Sequence, residues 1–89
     1  MISMTLKDEL GFLYREMIQH KMWNDLLAEK ETNTEKKKFY KGEAYMAVST
    51  ASKIDSIVRN HFKDGNKEVT EWLEQAKKDF TERTKDLRR

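Results

Sequence analysis

Across 89 residues there is no proline, and the only glycines are Gly11, Gly42 and Gly65. Proline breaks helices and glycine most readily ends them, so a chain this poor in both has few places to change direction. The intervening residues are dominated by the helix formers Leu, Glu, Lys, Met and Ala, and no stretch alternates β-branched residues with period two. These two facts predict an all-α fold made of long helices.

Three helices are expected, over about 6–30, 35–63 and 67–88. Thr5 supplies a hydroxyl cap for the first, with Asp8 in its first turn. Glu31 to Glu35 reads as the first connection, with Thr32 and Glu35 spaced as a capping box for the second helix. Asp64-Gly65-Asn66 ends that helix, Gly65 serving as a left-handed C-cap and Asn66 capping the third helix with Glu68 near its positive end. Arg88 and Arg89 suit a helix C-terminus. With 37% hydrophobic and 38% charged residues, a chain of this length supports one core, so residues 1–89 are expected to form a single domain.

The apolar stripes predict how the helices pair. Helix one carries Leu6, Leu10, Leu13, Met17 and Leu27, with His20 and Asn24 filling the series. Helix two carries Tyr40, Ala44, Ala47, Ala51, Ile54 and Val58 at the same three- and four-residue steps. A turn near Thr32 sets Leu6 against Val58, Leu10 against Ile54, Leu13 against Ala51 and Met17 against Ala47, large residues facing small ones. A second stripe on helix two, Phe39, Met46, Thr50, Ile57 and His61, is assigned to helix three, whose own stripe is Val69, Trp72, Leu73, Ala76, Phe80 and Leu87. That pairing places Ile57 by Leu73 and Thr50 by Phe80. Helix two is then the shared central helix of an elongated antiparallel three-helix arrangement, a long helical hairpin plus a third helix, roughly 40 Å long at 1.5 Å rise per residue.

Few residues offer chemistry. Ser49, Thr50, Ser52 and Ser56 lie on a long helix with no positioned base and no glycine-rich loop to bind an oxyanion. His20 and His61 are far apart in the expected register, and Glu16 with His20 does not have the Glu-x-x-His spacing of helical metal sites. With no cysteine there is neither a disulfide framework nor a thiolate cage. No catalytic residue, metal site or cofactor is assigned, and the chain is not expected to be an enzyme. An enzyme or metal site between facing helices is carried only as a distant third possibility, which a metal-content measurement would address.

Surplus apolar surface is the more informative feature. Helix one points Leu6, Leu10, Leu13 and Met17 one way, while Met22, Trp23, Leu26 and Leu27 occupy a face rotated by more than a quarter turn. Phe12 shares a side with Trp23, and Tyr45 and Val48 on helix two are left over. Aromatic residues and Met are enriched in interface cores. Phe12, Met22, Trp23, Leu26, Leu27, Tyr45 and Val48 are therefore the candidate protein interface, and a homo-oligomer, with a dimer favoured, is expected alongside an unidentified protein partner. The alternative is a nucleic-acid or nucleotide-phosphate site at Lys36, Lys37, Lys38 and Lys41, interleaved with Phe39 and Tyr40. The net charge of +2 adds little weight to it. No stretch is long and apolar enough to span a membrane, and Met1-Ile2-Ser3-Met4-Thr5 lacks a signal-peptide core, so the cytoplasm is the expected compartment.

In overall character (short, Lys-rich, free of Cys and built on two long helices) the chain resembles the small helical orphan proteins of bacteriophages that infect Gram-positive bacteria. Many of those are accessory factors or inhibitors of host proteins, and the resemblance implies the same class of role, a protein-protein interaction module. It carries over no individual residue.

Overall fold

The computed structural model describes residues 5–88 as α1 (Leu6–Lys30), α2 (Thr34–His61), α3 (Gly65–Thr84) and a short 3₁₀ helix (Lys85–Arg88), with no strand among the described residues. Met1 to Met4, the Arg88 side chain and Arg89, whose charges and leader character were read above, lie outside the described residues. The all-helical class and the number of helices are as the missing prolines demand. At 1.5 Å per residue the 28 residues of α2 span about 42 Å, which accounts for most of the 45 Å long axis of a body measuring 45 × 26 × 25 Å.

Local chemistry sets the helix ends. The Thr5 hydroxyl accepts from the Asp8 backbone N–H at 3.1 Å, and the Asp8 carboxylate accepts from the Thr5 N–H at 3.4 Å, so the predicted cap and first-turn carboxylate close a reciprocal box. At the start of α2 the cap is Asn33, not Thr32. Its Oδ1 accepts from the Lys36 N–H at 3.0 Å, while Glu31 Oε1 takes up the Thr32 and Asn33 N–H groups. Asn is as good a cap as Thr, and the Glu31 carboxylate folding back over the connection places Asn33 at the helix entrance.

The turn between α2 and α3 also differs from expectation. α2 ends at His61, with Phe62 extended as its C-cap and the Phe62 N–H bonded to the Val58 carbonyl at 3.1 Å. Gly65 is the first residue of α3, and no glycine has a positive φ. Its requirement is space rather than handedness: a Cβ at Gly65 would collide with the Val58 carbonyl oxygen, so α3 starts directly on the end of α2. Asn66, freed from capping, accepts from the Arg59 guanidinium at 2.7 Å and ties the two helices beside the turn.

The interior is a seam of small residues on α2. Ala44, Ala47, Ala51, Ile54 and Val58, spaced three and four apart, are all buried, as that stripe predicts. Tyr14, Ala51, Ile54, Val58, Val69 and Trp72 form the core cluster, with Leu10, Met17, Ile18, Phe62 and Leu73 packed against it. The α1 side departs from the predicted pairing. Leu6 and Leu13 are exposed, whereas Gly11, Tyr14, Asn24, Leu26 and Ala28 are buried. Tyr14 and Ile18 border the same hollow as Val48, Ala51 and Asp55, and His20 bonds Glu43.

The central helix is α1, not α2. Both other helices pack against it, and α2 and α3 touch each other much less, around Val58, Phe62 and Val69. Trp72 of α3 lies on Gly11 and stacks at a tilt on Tyr14, with ring centroids 6.1 Å apart. Phe80 meets Trp23 of α1 rather than Thr50 of α2. Ile57, assigned to Leu73, is instead 46% exposed. The α1–α3 contacts run from Lys7–Glu68 through Gln19–Ala76 to Lys30–Leu87. Along that path the contact line on α1 moves by about a third of a turn, from Lys7, Gly11 and Tyr14 to Gln19, Trp23 and Lys30. α3 therefore starts against the α2 end and crosses α1 obliquely, leaving α2 behind.

Two glycine substitutions discriminate this packing. A Cβ at Gly11 would sit 2.5 Å from Cε2 and 2.9 Å from Nε1 of the buried Trp72 indole, so the ring would have to shift. A Cβ at Gly42 meets nothing within 4 Å. Gly11→Ala is expected to destabilise by about 1–3 kcal/mol, and Gly42→Ala to stabilise by about 0.5–1 kcal/mol. Urea unfolding followed by circular dichroism checks both, and equal effects at the two positions would contradict the Trp72 seat.

Candidate functional site

The seven residues proposed as an interface do not form one patch. Phe12, Trp23 and Leu27 share the outer side of α1, where Phe12 and Trp23 are exposed and Leu27 is half-buried. Trp23 is partly occupied within the chain, because its ring meets Phe80 edge-on at 6.4 Å. Leu26 is buried and belongs to the interior, and Met22 is half-buried beside it. The reason is α3: crossing α1 obliquely, it covers the Leu26 side that two seams on α2 would have left open. Tyr45 and Val48 lie on α2, on the flank turned toward the α3 start, and border a shallow hollow with Ser49, Ser52, Lys53 and Ser56. Tyr45 is the most exposed large hydrophobic residue described, at 73%.

Sequence reasoning left out the largest exposed group. Phe39 and Met46 are 62% and 63% exposed and share a line on α2 with Ile57. The signal was present, since Phe39, Met46, Thr50, Ile57 and His61 are a legible stripe. It was given to helix three, which packs elsewhere. Leu6 and Leu13 were likewise assigned to an internal seam that does not cover them.

The lysines of the alternative site fan out rather than converge. Lys36, Lys38 and Lys41 are exposed and Lys37 is half-buried. At 100° per residue Lys37, Lys38 and Lys41 share a broad side, and Lys36 points away from it. Phe39 and Tyr40 meet edge-on at 5.9 Å; Tyr40 is half-buried and Phe39 is not in a core seam.

The polar side chains that are bonded make mostly local contacts. His20 Nε2 lies 3.3 Å from Glu43 Oε2, next to the Ala44 position that the register predicts, and His61 is exposed at the α2 end. Asn24 is buried and donates from Nδ2 to the His20 carbonyl at 2.8 Å; the Thr84 hydroxyl donates to the Phe80 carbonyl at 2.8 Å. No group of three His, Cys, Asp or Glu is placed to hold a metal among the described residues. No described helix is long and apolar enough to cross a membrane. Open grooves of about 510 and 630 Å³ flank Phe80 and Leu87 along the α1–α3 seam, one floored by Met17 and Trp23 and the other by Met22 and Leu26. Burial pushes the Tyr14 hydroxyl above its ordinary value, with the Asp55 charge adding to the effect. The Glu68 carboxylate raises Lys7, chiefly through their 3.0 Å hydrogen bond. No protein-family model, curated protein or solved structure matches this chain.

Two measurements follow from these environments. Trp23→Ala removes an edge-on aromatic contact from a side chain still 41% exposed, so it is expected to cost about 2 kcal/mol, less than a fully buried aromatic. Tyr45→Ala, outside the core, should stay within about 0.5 kcal/mol. Tyr14 is held protonated by the fold, so its contribution is complete below the ordinary tyrosine value and is lost as pH rises through the higher folded value. Urea midpoints should therefore fall as pH rises above the ordinary tyrosine value of about 10, and Tyr14→Phe should flatten that fall. An unchanged slope in the variant would assign the alkaline loss to other groups.

Proposed function

We propose that this chain is a helical protein-protein interaction module that works by binding protein through its exposed apolar side chains, and that it assembles with copies of itself. In this reading α1 and α2 form a long antiparallel hairpin, and α3 is laid across α1. The supporting observation is that α2 carries large apolar residues on both flanks of its alanine seam, Phe39, Met46 and Ile57 on one and Tyr45 and Val48 on the other, all exposed. A helix with one neighbour needs a single apolar stripe. The additional stripes are left exposed by the described residues, and aromatic and Met side chains of this kind are typical of interface cores.

The lysine-rich start of α2 supports a phosphate-binding role less well, because its four cations are not gathered on one face. Its remaining support is the exposed Phe39 ring beside Lys36 and Lys38. Fluorescence anisotropy with single-stranded oligonucleotides across a salt series separates the two readings. Interaction through the apolar surface is expected to leave the oligonucleotide unbound, whereas tight, salt-dependent binding lost on replacing Lys36, Lys37, Lys38 and Lys41 by Gln would favour the phosphate site.

Self-association is checked by sedimentation equilibrium of the full chain. The expected result is a concentration-dependent species of twice the 10.7 kDa chain mass or a higher multiple. A strictly monomeric species up to the solubility limit would overturn the homo-oligomer.

A further inference from the structure

Six large apolar side chains, Leu6, Phe12 and Leu13 of α1 and Phe39, Met46 and Ile57 of α2, are between 41% and 65% exposed. They fall on one side of the α1–α2 pair. On α2, steps of seven and eleven residues return Phe39, Met46 and Ile57 to one line; on α1, Leu6 and Leu13 are seven apart with Phe12 alongside. The His20–Glu43 bond bridges the two helices on this side. The opposite side is marked by Tyr14 and Ile18 facing Val48, Ser52 and Asp55, and by Arg59 reaching Asn66 of α3. α3 is thus occupied on the far side and does not cover the six residues.

At roughly 200 Å² per large side chain, these exposures amount to roughly 650 Å² of apolar surface. The largest patch on an ordinary monomer is about 300–600 Å², and a stable dimer buries about 800 Å² per partner. Adding the polar rim brings the face to the size of a dimer contact.

We propose that a second copy of this chain covers this face, so that two α1–α2 pairs stack into a four-helix core with an α3 outside each. The inference rests on the self-association proposed above and assigns its surface and geometry. Two flat helix pairs stacked by a twofold axis have only two arrangements. An axis along the helices sets α1 over α2 of the second copy. An axis across them sets α1 over α1 and α2 over α2.

Charge selects the first. The α1 side of the face carries exposed Glu9 and Glu16, and the α2 side carries exposed Lys53, with exposed Glu35 on the same line about five turns nearer the helix start; none of the four has an ion-pair partner among the described residues. Glu43, on the α2 side, is already bonded to His20. An axis along the helices keeps the height of every residue, so Lys53 of the second copy falls between Glu9 and Glu16. With the other axis set at the height of this stretch, Glu9 and Glu16 meet the same residues of the second copy, where like charges oppose the contact. The first arrangement also lays Ile57 of one copy against Leu6 of the other, and the apolar stretch around Thr50 and Met46 against Phe12 and Leu13. Neighbouring helices alternate in direction around the four-helix core, as in up-down bundles.

The chain has no cysteine, so introduced thiols report the geometry without background. Leu13→Cys and Thr50→Cys chains, mixed and oxidised, should form the mixed disulfide-linked dimer in preference to either homodimer. A dominant Leu13→Cys homodimer would overturn the proposed axis. Met46→Glu, a change at an exposed position, should raise the dimer dissociation constant at least 100-fold while the helical circular dichroism is retained. Lys78→Glu, an exposed change on α3, should change it less than threefold. Association of the parent chain that withstands Met46→Glu would overturn this face and leave self-association standing. A monomeric parent chain would overturn both.

Discussion

The arrangement depends on a side chain that is missing. Gly11 lies in the first half of α1, where it costs helix stability, and the space left by its absent Cβ is filled by the indole of Trp72. With that ring seated, α3 lies on α1 and its Val69 reaches the end of α2. The oblique crossing follows: α3 begins on the last turn of α2, where Gly65 admits the close approach, and can continue only along the helix that holds Trp72. From there Phe80 reaches Trp23, and Lys30 reaches the Leu87 carbonyl at 2.7 Å. Placing α3 on α1 leaves α2 with one long neighbour. That accounts for the exposure of the second α2 stripe.

Polar chemistry refines this plan without directing it. Lys7–Glu68 is a solvent-accessible pair, and the other ion pairs described are also at least partly exposed, so each adds little to stability. Their positions are more informative than their energies. Lys7–Glu68 and Arg59–Asn66 hold the start of α3, and His20–Glu43 holds the α1–α2 pair on the side α3 does not reach. No buried side-chain nitrogen or oxygen lacks a hydrogen-bond partner among the described residues. No buried polar group among the described residues therefore points to a ligand. The apolar surface is therefore the informative remainder.

Much of this was legible from the residue pattern, and the limits of that legibility are physical. The alanine seam of α2 could be read because burial against one neighbour imposes a 3.6-residue period, and the Thr5–Asp8 box because capping is a local interaction. The second stripe of α2 could be read too, but a stripe records only that something apolar covers it, not what. Assigning it to α3 assumed that the nearest helix in the chain would be the cover. The deciding information lay in Gly11 and Trp72, separated by sixty-one positions, and a lone glycine in a helix carries no mark of the ring it accommodates. Thr32 and Asn33 show the same limit at short range, since adjacent good caps are distinguished only by where the Glu31 carboxylate turns.

A three-helix body with α1 at its centre distributes neighbours unevenly. α1 has two long neighbours and can be apolar on most of its circumference, as Leu10, Tyr14, Met17, Ile18 and Leu26 illustrate. α2 has one, so if the chain worked alone its positions away from the alanine seam would be polar, as they are at Lys38, Lys41 and Lys53. Phe39, Met46 and Ile57 break that rule along a single line, and Leu6, Phe12 and Leu13 break it on the adjacent side of α1. Scattered apolar residues on a surface need no cause. Residues aligned across two neighbouring helices, with Glu9 and Glu16 on one and Lys53 on the other, are what the proposed pairing with a second copy would cover. In the proposed dimer a second copy would supply two more helices of matching length to that face.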